Sequence, residues 1–195
     1  VDAFNTNKAR IILDNTTLVC QSDLIMSGDI HFKGSCRVAG NGHTIQLGSG
    51  GEWVVRPKST LIIDDANLAN MRSSNLRCLA ADSSIKFQRS ALFFDRSFTF
   101  SQGSFAVDHE LFFCGTQSFN YTSILTSSVN AYSTLYVDAG MIFNYAPAGA
   151  RPALIQLNSN QGTLYLNGCT LQATRTGLLL ARGRCIIDNK VTFSS

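Results

Sequence analysis

Apolar residues alternate with polar or variable ones in short runs along the whole chain, and one six-residue word keeps returning. It consists of two small or hydroxyl residues, an apolar residue, any residue, a second apolar residue and usually a polar one. Copies start at Thr16, Gly34, Ser59, Ser83, Gly103, Ser133, Gly162 and Gly183, with the shortest step from Thr16 to Gly34 and the longest from Gly103 to Ser133. Period-two alternation bounded by Gly, Ser and Asn predicts short strands that bury one face. No window carries a capped amphipathic helix, so crossover helices between parallel strands are excluded. A strand word recurring at such steps predicts a coil of strands around one axis, each turn hydrogen-bonded to the next. A single turn has nothing to bury its apolar side against, so several must stack.

The expected fold is therefore all-β: a right-handed parallel β-helix, or β-solenoid, of about eight rungs, one for each copy of the word. It forms one domain over residues 1–195, with an entry strand in 1–15 and rungs in 16–195. An all-β sandwich is the rival, since it also has many short strands. It gives no reason for one word to recur along the whole chain.

Two groups of residues carry a family resemblance. Gly40-Asn41-Gly42-His43-Thr44-Ile45 is similar to an early-rung turn of the pectin-lyase-like right-handed β-helix proteins, as are the Ser-Thr-Leu rungs at Ser59 and Ser133. Rungs Thr116 to Tyr121 and Ser133 to Asp138 resemble secreted β-helix repeat proteins of protist-associated bacteria. In polysaccharide-cleaving members of the first group, acidic residues project from neighbouring rungs to hold calcium or to act as acid and base. The resemblance points to Asp64, Asp65, Asp108, His109 and Glu110 as the positions for such chemistry, with Asp82 and Asp95 near the first pair. Against catalysis, Asp64, Asp108, Asp138 and Asp188 all fill position six of the word, as turn residues accepting backbone N–H bonds do.

Composition narrows the classes further. Hydrophobic residues make up 45% of the chain and charged ones only 15%, against about 25% in an ordinary domain. Abundant Ser, Thr and Asn supply the missing polarity, and 13 Phe with a mean hydropathy of +0.07 exclude disorder. Three Pro and unperiodic Gly exclude collagen, and no apolar run approaches a membrane span. A net charge of +3 on scattered Lys and Arg excludes a basic nucleic-acid stripe. The stretch from Ala139 to Ile187 holds no acid but includes Arg151, Arg175, Arg182 and Arg184. It reads as a solvated face, with an anion site as the alternative.

His31, His43 and His109 lack the Cys or His spacing of a zinc site, and no phosphate loop or nucleophile elbow is present, so no cofactor or metal is expected. Six cysteines invite a disulfide reading. Cys20 and Cys36, the best pair, hold different positions in their words, which sets their Cα atoms about 8 Å apart. Buried free thiols are the favoured reading, with Cys20, Cys36 and Cys185 at inward positions. Most of the 13 Phe fall between Phe87 and Phe119 and predict an aromatic core that includes Phe87, Phe93, Phe105 and Phe112. Tyr136 and Tyr165, outward on successive rungs, are candidate carbohydrate-stacking rings or a structural ladder.

The ends shape the functional expectation. Ala9 to Asp14 and Arg184 to Ser195 both read as strands, with no capping helix or charged gatekeeper run. The main expectation is a structural extracellular or cell-surface solenoid that assembles head to tail, Ile186, Ile187, Val191 and Phe193 of one copy meeting Ile11, Ile12, Leu13 and Leu18 of the next. The alternatives are a carbohydrate-binding or polysaccharide-cleaving β-helix, and an adhesin or passenger fragment of a longer surface protein. A first residue of Val rather than Met fits a processed, secreted chain. Outward Thr pairs do not recur in register as an ice-binding solenoid requires.

Overall fold

A computed structural model describes residues 2–5, 10–48, 50–73, 75–147, 155–157, 161–173 and 182–194. Among them every regular element is a strand, every strand pairing is parallel, and the strands stack as a β-helix of about seven turns. Three strands make a turn, which gives three faces. The first face carries Asp2–Asn5, Leu24–Ser27, Thr44–Leu47, Asn67–Met71, the ends of Ser84–Phe94 and Ser104–Gly115, Thr134–Val137, Thr163–Asn167 and Arg184–Asp188. The second carries Ile11–Asp14, Ile30–Lys33, Trp53–Val55 and Leu76–Cys78. Its ladder breaks there and resumes with Phe98–Phe100, Ser118–Tyr121, Ile142–Tyr145, Thr170–Ala173 and Thr192–Ser194. On the third lie Thr17–Val19, Ser35–Ala39, Thr60–Asp64, the starts of the two long strands, Ser127–Val129 and Ile155–Leu157.

The recurring word turns out to occupy two faces. Copies from Gly34, Ser59, Ser83 and Gly103 stack in register on the third face, where Cys36, Leu61, Ile85 and Phe105 form one inward column. Copies from Ser133, Gly162 and Gly183 stack on the first face, with Leu135, Leu164 and Cys185 in line. The longest step, from Gly103 to Ser133, is where the word changes face. The Thr16 copy is slipped along its neighbour, because Leu18 pairs with Val38 rather than with Cys36. Cys20 and Cys36 are thereby set roughly 13 Å apart along the strand direction. All six cysteines are free thiols, and Cys185 at the last turn is exposed rather than buried.

The core is one narrow column of inward side chains from Cys20 to Leu171. Its middle is aromatic: Phe94, Phe98, Phe105, Phe113, Phe119 and Phe143 meet mostly edge to face or tilted, at 4.4 to 6.4 Å between centroids, with Phe98 stacked on Phe119 at 5.8 Å. Phe87 and Phe105 belong to this core, as expected. Phe93 and Phe112 do not, because alternation places them outside, where Phe93 is exposed and Phe112 half-buried.

Candidate functional site

The corner between the third and first faces collects the acidic candidates. Asp65, Arg89, His109 and Tyr132 occupy it on successive turns, each with a positive φ of 47 to 75° that non-glycine residues adopt at a cost. Asp64 ends its strand just before the corner and is only 3% exposed. Its carboxylate accepts from Arg37 of the preceding turn and, at 2.6 Å, from Arg89 of the following one. Asp108, two turns on from Asp64, accepts from Lys86 at 2.6 Å, Gln88 at 3.0 Å and Asn130 at 3.3 Å. These bonds hold its carboxyl at about 2, the Lys86 hydrogen bond being the largest cause and partial burial opposing it.

The other acidic candidates are not gathered with them. Asp65 serves the turn through its N–H, which donates to Gln88 O, and His109 is exposed with its N–H donating to Ser133 Oγ at 2.8 Å. Glu110 heads a separate outward column that continues through Thr134, Thr163 and Arg184. Asp64 and Asp108 are separated by the intervening Gln88 turn, and each is engaged by cations or amides. Asp138 and Asp188 lie at a different corner, where each accepts the N–H of the next residue, as the turn reading expects. No group of three His, Cys, Asp or Glu able to hold a metal occurs among the described residues.

Tyr136 and Tyr165 do project outward on successive turns, behind Phe112. Phe112 and Tyr136 stack at 4.3 Å with 3° between their planes, and Tyr136 meets Tyr165 at 5.4 Å and 41°. Rings that stack this closely turn their faces on one another along the ladder, which leaves mainly edges for solvent. Tyr165 also donates its hydroxyl to Asp188 Oδ2 at 2.6 Å. The arrangement braces the first face and is poor as a flat sugar platform.

Beside this ladder lies a feature the sequence reading missed. Tyr132, Thr134, Gln161, Thr163 and Arg184 line an open cleft of about 500 Å³. Thr134, Thr163 and Arg184 belong to one outward column, and Tyr132 leans in from the corner with 78% of its surface exposed. Arg184 and Arg182 were visible only as cations in an acid-free stretch; Arg151 and Arg175 lie outside the described residues.

The ends of the stack are apolar. At the first turns Ile11, Leu13, Leu18, Leu24, Met26 and Ile30 line an open, wholly apolar cavity of about 130 Å³. Ile12, by contrast, points outward. At the last turn the inward Ile187 and Phe193 are 55% and 61% exposed, Ile186 lies outward beside Tyr165, and Val191 packs on the core.

No protein-family model, curated protein or solved structure matches the chain. Among the described residues the parallel β-solenoid carries apolar end turns, a corner of paired charges and a polar cleft.

Proposed function

We propose that this chain is a structural β-solenoid unit that joins other copies end to end, working outside the cell or at its surface. The observation that carries this reading is the match between the two end turns. Each presents, on the first and second faces, a strand edge with no partner among the described residues, around an apolar cross-section. Arg184–Asp188 of one copy extends the first-face ladder onto Asp2–Asn5 of the next, and Thr192–Ser194 extends the second-face ladder onto Ile11–Asp14. Backbone hydrogen bonds supply affinity, and the apolar column sets register. A contact of this kind is heterologous and does not close, so it gives a rod. The engaged carboxylates of Asp64 and Asp108 support reading them as structural ion pairs rather than as an acid–base pair. The polar, weakly charged composition supports the location. The likeness of the Gly40–Ile45 turn and the Ser-Thr-Leu rungs to the pectin-lyase-like β-helices is consistent with this reading at the level of architecture.

Light scattering and negative-stain imaging of the full chain test it. Mass is expected to rise with concentration and rods to appear, and Ile187→Lys with Phe193→Lys is expected to leave a folded monomer by circular dichroism. A wild-type chain that stays monomeric at high concentration overturns the proposal, as do rods indifferent to the double change. A carbohydrate-binding role is the second reading, and only the Tyr132 cleft favours it.

A further inference from the structure

The geometry points to the cleft between Tyr132 and Arg184 as a binding site for a saccharide that carries a sulfate or phosphate ester. This inference goes beyond end-to-end assembly, although Arg184 begins the strand that such assembly would extend. Its lining has a consistent chemical sense: one guanidinium, two threonine hydroxyls, one carboxamide and one phenol ring, with no carboxylate among them. Arg184 forms no ion pair among the described residues, and its one side-chain hydrogen bond, to Thr163 Oγ1, is stretched to 3.5 Å. The guanidinium fork is thus available to an oxyanion.

The acids nearest along the sequence are placed elsewhere. Asp138 accepts the N–H of Ala139, Asp188 is engaged by Tyr165 and by the N–H of Asn189, and Glu110 heads the same column one strand beyond Thr134, at the end of the cleft away from Arg184. Donors reach the cleft from several directions. Thr134, Thr163 and Arg184 come from three stacked turns, with Gln161 from the segment preceding Thr163. A tetrahedral oxyanion, whose oxygens point apart, uses such a spread better than a planar carboxylate does. At about 500 Å³ the cleft is larger than an oxyanion needs and matches the size of small-ligand sites.

The exposed Tyr132 ring supplies the remaining surface. Its face is free, unlike those of Phe112 and Tyr136, and a pyranose can stack its C–H face there while its ester reaches Arg184. Its backbone holds φ at 56°, a conformation more natural to Gly or Asn.

Calorimetric titration of the full chain with glucose sulfate, glucose phosphate, glucuronate and unmodified glucose tests the assignment. The two esters are expected to bind, and whichever binds more tightly names the source of the oxyanion. Glucose is expected to bind at least about tenfold more weakly, and glucuronate to fall between. Arg184→Gln should cost at least about tenfold for the esters. Tyr132→Asn, which suits the backbone, should weaken the esters while leaving inorganic phosphate unchanged. Both positions are exposed, and an unchanged thermal midpoint shows that the fold is intact. Equal binding of glucose and its esters, no binding of either ester, or indifference to Arg184→Gln would each overturn the proposal.

Discussion

Asp108 and His31 are among the described side chains whose surroundings make stability depend on pH. Lys86, Gln88 and Asn130 hold the Asp108 carboxyl down from 3.8 to about 2. A depressed acid contributes stability that is present above its unfolded value and lost as pH falls towards its folded one. His31 is displaced downward for another reason. Burial disfavours its cation first, then Arg10 and Arg56 repel it; Asp29 opposes them, and Arg77, paired with Glu52, adds a smaller repulsion. Lys33 and Asp14 beside it form their own pair. The unfolded chain therefore takes up a proton at His31 before the folded one does, and stability declines as pH falls below about 6.5. Urea midpoints across pH should fall in two stages, the first setting in as pH drops through about 6.5 and the second below about 4. His31→Leu should flatten the upper stage and Asp108→Asn the lower. Alternation in the sequence predicts that His31 faces solvent, opposite Ile30 and Phe32; the side is right and the exposure is not. It could not show that the ring is only 8% exposed. The neighbouring strand sets Val54, also outward and buried, beside it, and Arg77 one turn further on, so the outer surface is covered where alternation alone reads it as open.

At the scale of strands and corners, the tight fit between turns shows in the Gly40 turn. A Cβ on Gly40 would lie 2.5 Å from Ala66 Cβ and from the carbonyl oxygen of Asp65, one turn away. A Cβ on Gly42 would meet open space, but there φ is +78°. Gly40→Ala is expected to cost about 2 kcal/mol or more through crowding, and Gly42→Ala about 1 kcal/mol through backbone strain alone. Chemical denaturation of the two variants separates these causes, and equal costs would count against the packing account. The same turn was legible as a corner from its glycines. What the repeating word left open was the face. Any strand with one buried side needs apolar residues at alternate positions, so the word reads alike on the first and third faces. Corner length decides between them, and the lengthened step from Gly103 to Ser133 moves the word to the next face. The slip at Leu18 has the same origin, since nothing in so short a strand pins register except what it packs against.

The whole molecule is a one-dimensional stack, in which each turn is stabilised by its two neighbours. The long central strands Ser84–Phe94 and Ser104–Gly115 lie over the aromatic core, whereas among the described residues Arg184–Asp188 and Thr192–Ser194 have a partner on one side only. Hydrogen exchange in dilute solution should be slowest in the central strands and fast in the last two. Raising the protein concentration should slow exchange at the ends alone if copies stack, and unchanged end exchange would count against stacking. Burial adds to the protection of the interior. It pushes the Cys78 thiol up to about 12, and burial followed by the Asp138 charge brings Cys114 to about 11, so both remain protonated at neutral pH.

By itself the sequence determined the strand repeat, the alternation of inward and outward residues and the apolar, charge-poor character of the coil. All three follow from period-two alternation and composition, which are local properties. Only the tertiary structure decided which residues share a face. It set the two arginines on Asp64, the ladder of Phe112 and Tyr136, the covered outer patch at His31 and the cleft between Tyr132 and Arg184. Those partners lie on different turns, and corners of unequal length fix which of them meet.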